Sequence, residues 1–182
     1  MSQDFPFNTR DYSLSFCHAL MFVLEKEGGL TADGGYVDDP NDNGGETKFG
    51  ISQRAFPHLT ISDLTIDDAA NIYYQHYYLE AQCENLPVPV ALAVFDAAVQ
   101  HGVRAAIKML QEVAGVVADG IYGPKTHEAV YAKDDEYLLS AYHLRRSRFY
   151  ARIVKKNPSQ ARFIEGWHNR LSDCLEAAWE LV

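Results

Sequence analysis

Apolar positions along the chain recur mostly at helical spacing. Between Asp11 and Glu27, the residues Leu14, Cys17, Leu20, Met21 and Leu24 fall on one stripe, and Gly28-Gly29 supplies a stop. The same spacing predicts a short helix over 51–56 and a longer one over 66–81, with Ile66, Ala70, Tyr73 and Tyr77 inward. Pro87 and Pro89 open a helix over 90–101 that Gly102 closes; it is apolar nearly all round, which predicts a central, buried element. Residues 103–114 form a further helix ending at Gly115, and 116–124 read as a turn-rich connector. Helices over 125–132, 135–156 and 159–182 complete the chain, the last with Ile164, Trp167, Leu171, Leu175 and Ala178 on one stripe. Trp167, in register with Leu171 and Leu175, reads as a core residue. Residues 30–50 break the pattern: they are glycine-rich, with one proline and five acidic residues, and predict a long irregular loop or short hairpin. The fold class that follows is mostly α, a compact arrangement of seven or so helices with one long acidic loop near the front.

Composition narrows the function classes. Of 182 residues, 47% are apolar and 23% charged, as in an ordered globular protein. The longest apolar run, Ala19 to Leu24, is cut off by Glu25-Lys26-Glu27 and is far short of the ~18–20 residues of a membrane span. No secretory signal is legible before it. The net charge of −9 argues against nucleic acid as a partner. The most basic stretch, Arg145-Arg146-Ser147-Arg148 with Lys155-Lys156, reads as a solvated helix face. Cys17, Cys83 and Cys174 are too few and too scattered for a disulfide framework, and Cys17 and Cys174 lie on apolar stripes as buried thiols.

The candidate chemistry centres on Glu27 and the loop behind it. Glu27 closes a helix, where the carbonyl ends carry partial negative charge and disfavour a second one. Partial burial acts in the same direction, so both effects favour the protonated carboxyl that a general acid needs. The loop offers Asp38, Asp39, Asp42 and Thr47, and a protonated carboxyl facing an ionised one is the arrangement that cleaves glycosidic bonds. The bland alternative is a solvated helix end followed by ordinary turn residues. A calcium loop starting at Asp39 fails at its twelfth position, where Gly50 stands. The seven histidines form no HExxH motif and no zinc-spaced pair with cysteine, and His76 reads as packed or solvent-facing; no metal or other cofactor is expected.

These residues also resemble a known family. Glu27-Gly28-Gly29, the string from Asp38 to Ser52, Phe95 to Gly102, Leu110-Gln111, Asp119 to Thr126 and Phe163 to Arg170 are together similar to glycoside hydrolase family 108, lysozyme-like N-acetylmuramidases that include phage endolysins. The resemblance spans roughly residues 14 to 172. It implies a lysozyme-like helical fold, with a catalytic region over 11–95 and a peptidoglycan-binding region over 96–182, packed together as one compact unit. It implies cleavage of the β-1,4 bond between N-acetylmuramic acid and N-acetylglucosamine, with Glu27 as acid and Asp42 and Thr47 assisting a water. Tyr36, Asp96, Gln100 and Tyr122 are candidates to line the glycan groove; for Asp96 and Gln100 a polar network between buried helices is the equal alternative. Residues 30–35 look like an insertion relative to the family, with Tyr36 in the aromatic position, which leaves Asp38 and Asp39 as rivals to Asp42. Gln100 stands where the family usually has Asn. The partner implied is bacterial peptidoglycan, met by a monomer that stays in the host cytoplasm until lysis and then works on the wall. A lytic transglycosylase and a non-catalytic wall-binding or secretion-accessory protein are the competing readings.

Overall fold

A computed structural model describes residues 4–38 and 45–182 and is mostly helical. The chain clusters into two compact units, residues 1–76 and 77–182. Residues 95 and 96, between which the sequence divides catalytic from wall-binding region, both lie inside one buried helix of the second unit.

The first unit is built on α1, Leu14–Lys26. Ser13 caps it, its hydroxyl accepting from the Phe16 N–H. Phe16, Cys17, Ala19, Leu20, Val23 and Leu24 are almost wholly buried, so the helix is a core element and not a surface one. Its end is a Schellman turn. Gly28 N–H donates to Glu25 O at 3.2 Å, Gly29 N–H donates to Leu24 O at 2.8 Å, and Gly28 takes φ of 72°. The stop predicted at Gly28-Gly29 is therefore where the helix ends.

The following loop folds back on itself. Thr31 bridges Gly28 O and Asp33, and the Gly35 N–H donates to the Thr31 hydroxyl at 2.6 Å. Val37 then pairs with Thr47 through both backbone hydrogen bonds, at 2.9 and 2.8 Å. Two short strands, β1 (Thr47–Lys48) and β2 (Ile51–Ser52), pair antiparallel in the register Thr47 with Ser52 and Lys48 with Ile51. The helix expected over 51–56 is replaced by this hairpin and the turns that follow it. The reason is the two-residue turn at Phe49-Gly50, where both residues take positive φ (54° and 78°) and reverse the chain. After the hairpin, α2 (Ile66–Tyr73) opens with a reciprocal capping box between Thr65 and Asp68. The helix expected to continue to residue 81 widens into a π turn over Tyr74–Leu79.

The second unit is organised around α3, Val88–His101, whose residues from Pro89 to Ala98 are all buried. Around it pack α4 (Val103–Ala114), α6 (Asp135–Lys156) and α7 (Ile164–Trp179). The short α5, Pro124–Tyr131, lies against α4. Gly115 closes α4 in the left-handed region (φ 84°). The connector after it is held by one buried side chain. The Gln111 amide nitrogen donates to Asp119 Oδ1 (2.8 Å), Ile121 O (3.0 Å) and Thr126 Oγ1 (3.1 Å), and its oxygen accepts from the Gly120 N–H (2.8 Å). Among the described residues no helix is long and apolar enough to cross a membrane.

Candidate active site

Glu27 is half-buried and occupies the C-cap of α1, its N–H bonded to Val23 O at 2.9 Å. The hairpin turn is packed onto it. A Cβ built at Gly50 would lie 2.8 Å from Glu27 Cβ, 2.9 Å from Glu27 Cγ and 2.7 Å from the Tyr73 hydroxyl. Only a residue without a side chain lets the backbone approach this closely, and only glycine takes φ of 78° without strain. The turn is anchored on its other side as well. Phe49 is buried, its N–H donates to Gly34 O (2.7 Å), and its carbonyl accepts from the buried Tyr73 hydroxyl (2.8 Å). Lys48 reaches Ser62 O (2.7 Å) while its ammonium lies over the Phe49 ring. Three segments thus converge on Glu27: the end of α1, the hairpin turn and α2.

Thr47 lies in the same hairpin, three residues before Gly50, at the centre of the ladder Val37–Thr47–Ser52. The antiparallel pairing with Val37 puts Glu46 across from Asp38 and diagonal to Tyr36. Partial desolvation, then the charges of Glu46 and Asp38, push the Tyr36 hydroxyl pKa up. Tyr36 keeps enough exposure, 36%, to present a ring face to a ligand. Asp38 is exposed at the end of this segment. Asp42 and Asp39 lie outside the described residues.

The other expected groove residues belong to the second unit. Asp96 is fully buried. Its Oδ2 accepts from Arg146 Nη2 (2.7 Å), and its Oδ1 from Arg170 Nη2 (2.7 Å) and Nε (2.9 Å). Burial alone would raise its pKa; the two guanidinium groups overcome that and hold it below the ordinary range. Gln100 Oε1 accepts from Arg146 Nη2 (3.0 Å) and from the Tyr150 hydroxyl (2.7 Å), and Trp167 stacks on Tyr150 at 4.9 Å. Asp96 and Gln100 are thus the polar network joining α3, α6 and α7. A carboxylate with no exposed surface has no oxygen to offer a sugar, which corrects the groove-lining expectation for Asp96. Tyr122 is half-buried, its hydroxyl donating to Asn85 O (3.0 Å), and burial pushes its pKa up to about 12. It borders a hollow of about 650 Å³ with Gln82 and Arg104.

Sequence reasoning passed over Tyr73, Phe49 and Gly50 as site residues. Their signal was a glycine in the second position of a two-residue reversal between Thr47-Lys48 and Ile51-Ser52, which fits a hairpin turn. Glu46 was passed over too; its place follows from the pairing of Val37 with Thr47.

Residues 20–102 match the family model described as Glycosyl hydrolase 108, and residues 105–172 match the one described as "Predicted Peptidoglycan domain". The solved structure of Brucella abortus SagA is similar at 30% sequence identity and a TM-score of 0.77, over 92% of this chain and 95% of that one. The chain belongs to glycoside hydrolase family 108. Comparison with curated protein sequences gave no match. As a family 108 protein with a peptidoglycan-binding region, it is a peptidoglycan hydrolase of the muramidase type with the mostly helical, lysozyme-like fold of such enzymes. Glu27, Tyr36, Thr47 and the Gly50 turn all fall within the glycosyl hydrolase match, whereas Tyr122 and the Gln111-bound connector fall within the peptidoglycan-domain match.

Proposed function

We propose that Glu27 is the general acid of this family 108 enzyme and protonates the glycosidic oxygen of the β-1,4 bond between N-acetylmuramic acid and N-acetylglucosamine. The observation that carries the reading is the packing at Glu27: a side chain rooted at a helix C-cap, its Cβ and Cγ against a glycine turn that fits nothing larger. An acid that must meet one oxygen of a long polymer needs that kind of fixed placement. Thr47 and Asp42 hold a water on the opposite face of the sugar, so that hydrolysis inverts the anomeric carbon. Tyr36 offers its ring face to a sugar. The catalytic region is 11–95 and the wall-binding region 96–182, with Tyr122 on the wall-binding side. The biological role that fits is that of a phage-type endolysin, a monomer held in the host cytoplasm until lysis.

Digestion of purified sacculi followed by mass spectrometry of the soluble muropeptides tests this. Hydrolysis gives reducing N-acetylmuramic acid ends. Anhydro ends, lighter by one water, would make the enzyme a lytic transglycosylase, and bound protein with no new ends would make it a wall-binding accessory.

A further inference from the structure

The second unit carries a groove that the catalytic reading does not use. It lies between α4 and α6 and has a volume of about 640 Å³, within the range of sites for small ligands and short peptides. Helical spacing builds it: Ala105, Lys108, Met109 and Glu112 follow one face of α4, and Arg145, Phe149, Arg152, Ile153 and Lys156 one face of α6. The floor is apolar, with Met109, Phe149 and Ile153. The rim is basic, with Lys108, Arg145, Arg152, Lys155 and Lys156 against the single acid Glu112. Five cations and one anion leave the lining at +4, on a chain whose net charge is −9. The basic stretch that the sequence reads as a solvated face is in part the wall of this groove, while Arg146 turns inward to Asp96.

Arg145 is central. Its Nε is paired with Glu112, whose pKa is lowered first by that hydrogen bond. Its Nη1 is buried with no acceptor among the described residues, which is costly for a guanidinium N–H. Every lining residue also falls within 105–172, the span that matches the peptidoglycan domain.

We infer that this groove binds the peptide stems of peptidoglycan. The inference rests on the peptidoglycan-hydrolase reading and adds which part of the polymer the second unit holds. Wall glycan consists of N-acetylated sugars with little charge, whereas its stem peptides carry free carboxylates beside small methyl side chains. Carboxylates match the basic rim, and methyl groups match the apolar floor. Holding the stems leaves the glycan strand itself to the acid of the first unit.

The test is co-sedimentation of the full chain on ice with intact sacculi, with glycan strands stripped of their peptides by an amidase, and with anionic phospholipid vesicles. Arg152→Ala combined with Lys156→Ala is expected to weaken sacculus binding about tenfold and to reduce its salt dependence, while binding to stripped strands stays at the wild-type level. The charge-conserving pair Arg152→Lys and Lys156→Arg is expected to bind sacculi like the wild type. Unchanged sacculus binding by the alanine pair, equal losses on stripped strands, or wild-type preference for the vesicles would each overturn the inference. Release of reducing ends from stripped strands, read in parallel, tests the hydrolase reading separately: a chain that releases none still reports on the groove through its binding.

Discussion

Replacing Gly50 with alanine perturbs the contact on which the candidate site is built. Two effects add. The residue sits at φ of 78°, and forcing an L-residue into the left-handed region costs about 1–2 kcal/mol. The new methyl would lie 2.7 Å from the Tyr73 hydroxyl and 2.8 Å from Glu27 Cβ, so both neighbours must move; overpacking of this kind costs about 1–3 kcal/mol. The sum is about 2–5 kcal/mol. Gly28→Ala is the internal control. Gly28 adjoins Glu27 in sequence and has φ of 72°, yet an added Cβ there meets nothing within 4 Å. It should therefore cost only the backbone part, about 1–2 kcal/mol. Scanning calorimetry should place the melting point of Gly50→Ala below that of Gly28→Ala by roughly 2–12 °C, about 2–4 °C for each kcal/mol in a chain of this size. Reducing-end release from sacculi, measured well below either melting point, should fall on the order of 100-fold for Gly50→Ala, because the displaced carboxyl no longer meets its oxygen. Equal melting points and equal rates for the two variants would refute the packing argument.

Other perturbations follow from the same contacts. Tyr73→Phe leaves the buried Phe49 carbonyl without its donor and should cost about 1–3 kcal/mol by calorimetry. Asp96→Ala strands the fully buried Arg146 and should destabilise the second unit by about 3–5 kcal/mol; both tryptophans, Trp167 and Trp179, lie in that unit, so their fluorescence in urea reports it. Burial, with Arg146 adding to it, lowers the His101 pKa to about 4, and burial lowers that of His143 to about 4, from an ordinary 6.5. Both are then neutral in the fold when the unfolded chain is already protonated. Stability is fully present above pH 6.5 and should decline as pH falls towards 4, by up to about 1.4 kcal/mol per pH unit for each histidine. Fluorescence-monitored unfolding across that window should show the decline, and His101→Asn with His143→Gln should flatten it.

Periodicity made the long helices legible. The expected spans of α4 and α6 are the observed ones, and the Gly28-Gly29 stop became a Schellman turn because glycine's freedom at positive φ is a local property. The helix expected over 51–56 failed for a reason that residue type does not carry. The reversal uses a phenylalanine at positive φ, and Phe49 adopts it because Gly34 O and the Tyr73 hydroxyl fix it from distant parts of the chain. Such tertiary determination outweighs local preference in short segments. The polar network has the same character. Asp96 lies on an evenly apolar helix, and nothing nearby in sequence says whether it faces a ligand or a partner; the partners are 50 and 74 residues away. Glu27 was legible because its position needs only a helix and its end. The α4–α6 groove was not, because a basic stripe on one helix looks solvated until a second helix stands beside it.

The central claim is that the Glu27 carboxyl supplies the proton. Glu27→Gln keeps the shape of the side chain and removes the transferable proton, so sacculus binding and melting temperature should match the wild type. Release of reducing ends from purified sacculi should then drop by roughly two to four orders of magnitude, the ordinary contribution of a positioned acid. A glutamine variant that releases ends at the wild-type rate would contradict the assignment.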